Sequence, residues 1–254
     1  MLLAADIGNT NIALGGFEGD RLVFTARLAT VSTKTEDEYA ADIMGIFALR
    51  SIPREKITGA IVASVVPPLN PVIKKAFSLL FGVNALLVGP GVKTGINIHC
   101  DTPSSVGADI ICAAVAVKHF YGAPALVADF GTATKMLVID RSGAFIGVSI
   151  IPGVAMGLDA LSSGTAQLPR VSLEAPNSVV AKNTADCMRS GVIFGNAALT
   201  DGMISRIRDE LGYELPVYAT GGLAPLILPH CRTNIKSDPG LVLKGLNLIW
   251  QKNS

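Results

Sequence analysis

The chain has 254 residues, half of them hydrophobic and only 16% charged, with a formal net charge of +1. That is ample apolar material for one large domain or two small ones. Without a basic block, neither nucleic acid nor an anionic membrane surface is expected as a main partner.

Cys100, Cys112, Cys187 and Cys231 form neither a C-x-x-C pair nor a metal spacing, so they read as reduced thiols of a cytoplasmic protein. The amino terminus has no signal-peptide pattern, and apolar runs such as 60–66 are strand-length, too short for a bilayer. The apolar excess therefore calls for a sheet covered on both faces or an apolar subunit interface. His99, His119 and His230 have no mutual metal spacing.

The opening reads as a meander, with strands at 2–5, 12–17 and 21–28 and a turn at Glu18-Gly19-Asp20. Thr35 and Glu38 have capping-box spacing, with Glu36 and Asp37 in the first turn, which predicts a helix to about Arg50. A buried strand over 57–66, a helix over 70–81 and a short strand over 85–88 follow. The glycines of 89–95 are wrongly spaced for a dinucleotide loop, and no G-x-x-x-x-G-K-S/T occurs, which removes the P-loop kinases. Thr102-Pro103 predicts a helix start, with Thr as cap and Pro at the first position, running to about Phe120. Tyr121-Gly122-Ala123-Pro124 breaks it.

The second half repeats the opening. Strands at 125–129, 136–140 and 145–150 precede helices near 155–163 and 185–211, a strand at 217–219 and a last helix over 240–252. Gly191, Gly195, Ala198 and Gly202 lie on one side of the long helix, a small-residue stripe that permits close helix packing within the subunit or across a dimer.

The most informative feature is a repeat: residues 2–15 recur in altered form as 125–138. Each copy is an apolar strand, then Asp-apolar-Gly-polar, then another apolar strand. An Asp at a strand end supplies an oxygen ligand for Mg²⁺, usually through water. The Gly lets backbone approach a phosphate, and the small polar residues supply hydrogen bonds to its oxygens. Asp6 is thus the magnesium candidate. Ile7, Gly8, Asn9, Thr10, Asn11, Ile12 and Ala13 form the first phosphate loop, and Gly131, Thr132 and Thr134 the second. Gly221 and Gly222 follow a strand and open onto a helix, as expected near the adenosine end of a nucleotide. Two such halves predict an α/β protein with the duplicated ribonuclease-H-like (actin-like ATPase) fold. Its expected domains are 1–120 and 121–254, around a nucleotide cleft.

Phosphoryl transfer also needs a carboxylate to take the acceptor's proton. Asp109, in Val106-Gly107-Ala108-Asp109, lies in the opening turns of a helix, where the dipole favours its ionised form. An acid there also simply complements a helix start.

Asp6-Ile7-Gly8-Asn9-Thr10, Gly107-Ala108-Asp109, Asp129-Phe130-Gly131-Thr132-Ala133-Thr134, Ile151-Pro152-Gly153, Lys182-Asn183-Thr184, Thr220-Gly221-Gly222 and Asp238-Pro239 occur in the order of type III pantothenate kinases, which the chain resembles over nearly its whole length. The resemblance implies ATP-dependent phosphorylation of pantothenate to 4′-phosphopantothenate, the first step of coenzyme A synthesis, by a cytoplasmic homodimer. It implies Asp109 as proton acceptor, Asp129 as ligand of an activating K⁺ or NH₄⁺, Thr132 as an ATP contact and Thr184 as a pantothenate contact. It also assigns Cys100, Gly107, Ala108 and Ile110 to the acceptor side. There the chain departs from the family, with Ile110 in place of an Arg and Cys100 in place of a Tyr. A charge-assisted hydrogen bond is worth about 1.5–3 kcal/mol, so losing the Arg weakens acceptor binding by about tenfold to a hundredfold or more. Two other readings follow from those departures: a non-transferring ATP-binding regulator or partner subunit, and a kinase for a different hydroxylated small molecule.

Overall fold

The computed structural model describes residues 1–254. Strand β1 (Leu2–Ile7) pairs antiparallel with β2 (Asn11–Glu18), and β2 pairs antiparallel with β3 (Arg21–Ala29). Helix α1 (Glu36–Leu49) carries the anticipated capping box: the Thr35 hydroxyl accepts from the Glu38 N–H, and the Glu38 carboxylate accepts from the Thr35 N–H at 2.8 Å. Strand β4 (Gly59–Ser64), helix α2 (Leu69–Phe81) and the two-residue β5 (Leu86–Leu87) complete a sheet ordered β3-β2-β1-β4-β5.

Along β1, Leu3, Ala5 and Ile7 alternate with Leu2, Ala4 and Asp6. The first set joins Tyr39, Ile43 and Phe47 of α1 and Ile73 and Phe77 of α2 in one apolar cluster. Because side chains alternate along a strand, Asp6 lies on the opposite face.

A continuous helix from Thr102 is not what forms. Thr102 makes no side-chain cap, Pro103–Ser105 close a single 3₁₀ turn, and Val106 is extended at φ −71°, ψ 126°. The Ser105 hydroxyl donates to the Thr102 carbonyl at 2.8 Å, satisfying that turn locally. Helix α3 then starts afresh at Ala108 and runs to Tyr121. Asp109 is therefore its second residue, nearer the positive end of the dipole than the longer helix would have put it.

The second sheet repeats the first. Strands β6 (Ala125–Phe130), β7 (Ala133–Ile139) and β8 (Phe145–Pro152) form an antiparallel meander, followed by helices α4 (Val154–Ser163) and α5 (Thr184–Leu211). Strand β9 (Val217–Thr220) pairs parallel with β6. The short helix α6 (Ala224–Ile227) leads to β10 (Ile235–Ser237), which pairs parallel with β9. Helix α6 is the one expected after Gly221-Gly222, whereas β10, only three residues long, is not legible as an element in the sequence. The order β8-β7-β6-β9-β10 is that of the first sheet, element for element, and both meanders carry a bulge in the second strand of the repeat, at Gly16/Phe17 and Val138/Ile139. Leu126, Ala128 and Phe130 face α4 and α5 in a second apolar cluster, which leaves Asp129 on the other face.

The chain divides into two compact units, one of Met1–Phe120 with Gly240–Ser254 and one of Tyr121–Pro239. The terminal helix α7 (Leu241–Gln251) thus belongs with the first unit, whereas the repeat alone assigns all of 121–254 to one domain. Packing explains it. A Cβ at Gly59 would lie 2.5 Å from the Trp250 ring, one at Gly15 3.0 Å from Leu243, and one at Gly245 only 1.9 Å from the Cys112 carbonyl oxygen. Helices α7 and α3 therefore meet backbone to backbone at a point only glycine allows. The Asn247 amide donates to the Gly19 carbonyl at 3.1 Å, and the Asn253 amide to that of Lys93 at 2.9 Å.

Candidate active site

In the first unit, β1 ends by delivering Asp6 and the β1–β2 turn. The Gly8 N–H donates to the Asn11 carbonyl at 3.0 Å, and the Thr30 hydroxyl donates to the Gly8 carbonyl at 2.7 Å. A Cβ at Gly8 would meet the Asn11 oxygen at 3.1 Å, so the turn is drawn tight at its glycine. Asn9, Thr10 and Asn11 are exposed, while Ile7 and Ile12 are fully buried and paired with each other. Asn9, Thr10 and Asn11 offer side chains to a ligand, and Ile7 and Ile12 only backbone. Ala13 sits directly opposite Asp6.

Asp109 folds back over Gly107: a Cβ there would lie 2.5 Å from the Asp109 Oδ1. The glycine thus clears the space that the carboxylate occupies. The fully buried Cys112 thiol, one helical turn on, is held well above the ordinary thiol range by burial first and then by the charges of Asp6 and Asp109. Both carboxylates therefore act on one buried sulfur, and the structure brings Asp6 and Asp109 to the same neighbourhood. Ala108 and Ile110 are buried, Ile110 with 7% of its surface exposed, and Gly107 and Cys100 are half-buried. The Cys100 thiol is pushed up by burial and by Asp101.

In the second unit, the β6–β7 loop is gripped by two glycines. A Cβ at Gly153, the N-cap of α4, would lie 1.9 Å from the Thr132 carbonyl oxygen. One at Gly221, where φ is +93°, would lie 2.5 Å from the Phe130 carbonyl. The Leu223 N–H donates to that carbonyl at 3.2 Å, and the Gly131 N–H to that of Ala133 at 3.2 Å. The motifs Ile151-Pro152-Gly153 and Thr220-Gly221-Gly222 are thus the two walls against which the loop is set. Thr132 is exposed. Thr184 is the exposed first residue of α5, behind an Asn183 cap that accepts from the Asp186 N–H at 2.9 Å.

One of the expected residues, and one that was not expected, alter the picture of this loop. Thr134 is fully buried, on the face of β7 that carries Met136 and Val138 into the apolar cluster, and its hydroxyl has no hydrogen-bond partner. Its side chain faces the core and not a phosphate. Lys135, passed over as a site residue, faces the other way. It stands directly opposite Asp129, and its Nζ lies 2.7 Å from the Asp129 Oδ2.

Two like sheets, each with an Asp-x-Gly loop after its first strand, define the class: an ATPase fold of the actin, sugar-kinase and Hsp70 kind. Component A of (R)-2-hydroxyglutaryl-CoA dehydratase from Acidaminococcus fermentans shares it, with a TM-score of 0.58 at 13% identity over 100% of this chain and 99% of that one. Within that class the sequence is decisive. The profile of type III pantothenate kinases matches residues 2–206. The type III pantothenate kinase of Brevibacillus brevis is 43% identical over 100% of this chain and 99% of its own length, and that of Moorella thermoacetica 42% identical over 100% of both. The chain belongs to the type III pantothenate kinase family.

A kinase of this family uses ATP with Mg²⁺, and the residues present fit that ion. Mg²⁺ is held by one or two carboxylates plus phosphate oxygens and waters, not by an all-protein cage. Asp6 is the residue that would supply the carboxylate, and no group of three His, Cys, Asp or Glu competes to hold a metal. The monovalent cation that the resemblance assigns to Asp129 fits less well, because an ammonium group already lies against that carboxylate.

Proposed function

We propose that the protein phosphorylates pantothenate with ATP, giving 4′-phosphopantothenate for coenzyme A synthesis, and that Asp109 is the general base. The observation that carries this reading is the placement of Asp109. It lies at the start of α3, over Gly107, where it shares the Cys112 neighbourhood with Asp6. From there its carboxylate accepts a proton from the acceptor hydroxyl as phosphorus is attacked. Backbone N–H groups and hydroxyls of the two loops, Gly8, Asn9, Thr10 and Asn11 in one and Gly131 and Thr132 in the other, hold phosphate oxygens of the nucleotide. Asp6 would hold the Mg²⁺ of the nucleotide, which would supply positive charge against those phosphates. Gly221 and Gly222 serve the adenosine end. On the acceptor side, Thr184, Cys100, Gly107, Ala108 and Ile110 contact pantothenate, with Ile110 offering apolar surface.

The functional unit in this proposal is a cytoplasmic homodimer that needs neither nucleic acid nor membrane. Cβ atoms at Gly191, Gly195 and Gly202 of α5 would meet nothing within 4 Å, and Leu199 between them is exposed, which supports an open face for a second copy. Val179 and Val180, 65% and 82% exposed, add apolar surface to the same unit. All four cysteines are free thiols, and no helix is long and apolar enough to cross a membrane.

The test is ADP release with ATP and saturating pantothenate, alongside Asp109→Asn. The variant should bind ATP normally and lose about 10²–10⁴-fold in turnover, the usual worth of a general base. No ADP release by the wild type, with ATP demonstrably bound, rejects pantothenate as acceptor and leaves the regulator or a kinase for another hydroxylated molecule.

A further inference from the structure

The repeat allows the two acids to be compared within one molecule. Asp6 and Asp129 end equivalent strands, on equivalent faces, before equivalent glycines. Their cross-strand partners differ. Opposite Asp6 stands Ala13, which brings no charge; opposite Asp129 stands Lys135. The second hairpin is one residue shorter, seven positions separating Asp6 from its partner and six separating Asp129 from its own. The Lys135–Asp129 pair is also among the better shielded in the molecule, with 15% and 13% of the two side chains exposed. A shielded pair is screened little by salt and is not readily exchanged for a dissolved ion. The lysine ammonium is a compact point charge of the kind K⁺ and NH₄⁺ supply.

We infer that Lys135 is a built-in monovalent cation. It holds its charge on Asp129 beside the second phosphate loop, so the protein requires no K⁺ or NH₄⁺ for nucleotide binding or turnover. This deepens the kinase reading and rests on it. Lys135 acts as a positioning residue through Asp129, keeping the loop that Gly153 and Gly221 grip in a charge-balanced state.

Two readouts test it, turnover and Mg–ATP titration calorimetry, each in potassium, ammonium, sodium and choline chloride at equal ionic strength. The wild type should give rates and affinities that agree within about twofold across all four salts, since exposed-charge screening is held constant. Lys135→Thr should lose about tenfold or more in choline, the worth of one charge-assisted contact, and recover in potassium or ammonium. Lys135→Arg should keep the wild-type indifference to the salt. A residue that merely stabilised the fold would not be rescued by a particular ion. Crystals grown in rubidium chloride give a direct view: no anomalous peak beside Asp129 in the wild type, and one there in Lys135→Thr.

A wild-type protein activated tenfold by potassium over choline, or a rubidium peak at its Asp129, overturns the inference, even if the threonine variant fails to fold. Nucleotide binding without transfer to pantothenate rejects the kinase reading alone, and the titrations then still decide the role of Lys135. An absence of nucleotide binding in every salt rejects both.

Discussion

Gly153 offers a sharp test of how firmly the second loop is set. Its backbone, at φ −68° and ψ 160°, is open to any residue, so Gly153→Ala carries no conformational strain. What it lacks is space. The new methyl would lie 1.9 Å from the Thr132 carbonyl oxygen, 2.7 Å from the Thr132 carbonyl carbon and 3.0 Å from the Gly131 oxygen. Ordinary contact begins at 3.4 Å, so the loop must retreat by 3.4 − 1.9 = 1.5 Å. Overpacking of this kind costs about 1–3 kcal/mol, and at about 2–4 °C per kcal/mol for a chain of this size Tm should fall by roughly 2–12 °C. The effect on chemistry should be larger, since a misplacement of about 1 Å can cost a hundredfold in rate. Turnover with ATP should therefore drop about a hundredfold at a temperature where the variant is still folded. Gly157, one turn along α4, is the control: a Cβ there meets nothing within 4 Å, and Gly157→Ala should raise stability by about 0.5–1 kcal/mol without touching the rate. Thermal melts paired with kcat/KM for ATP measure both. A Gly153→Ala protein with ATP kinetics within twofold of wild type would refute the idea that the glycine fixes a phosphate-binding loop.

Two further outcomes are expected. Mg–ATP should raise the melting temperature of the wild type, as any ligand selective for the native state does, and Asp6→Ala should remove most of that shift by removing the carboxylate that holds the metal. An undiminished shift, read by scanning fluorimetry, would assign Asp6 another role. Light scattering at micromolar concentration should report a dimer, and Leu199→Lys, a charge placed on the open face of α5, should shift it to monomer; a wild-type monomer would remove the assembly proposal.

Much of this architecture is legible in the residues because the repeat carries its own periodicity. Period-two alternation places Asp6 opposite the face of Leu3, Ala5 and Ile7, and Asp129 opposite that of Leu126, Ala128 and Phe130, as both sheets are built. Thr134 is harder to place. Whether a residue after a hairpin faces the acid or the core depends on the loop length, and the second loop is shorter by one residue. A one-residue change flips every side chain of the returning strand, which sends Thr134 inward and Lys135 to Asp129. The start of α3 is a local matter: Thr102-Pro103 has good starting chemistry, but the turn it begins closes on itself after Ser105. The residence of α7 is settled by contacts at large sequence separation, such as Gly245 on Cys112 and Trp250 on Gly59, which no local pattern announces.

The return of Gly240–Ser254 to the first unit also bears on how the chain folds as it is made. The second unit, Tyr121–Pro239, is one uninterrupted stretch and can close as soon as it has emerged from the ribosome. The first unit cannot, because the surface that receives Leu243 and Trp250 stays bare until the final helix is synthesised. With about 120 residues between the two parts, and elongation at about 5–20 residues per second, that surface waits roughly 6–24 s. The unit translated first is thus completed last, and Gly15, Gly59 and Cys112 mark the stretch most in need of shelter from other nascent chains in the interval.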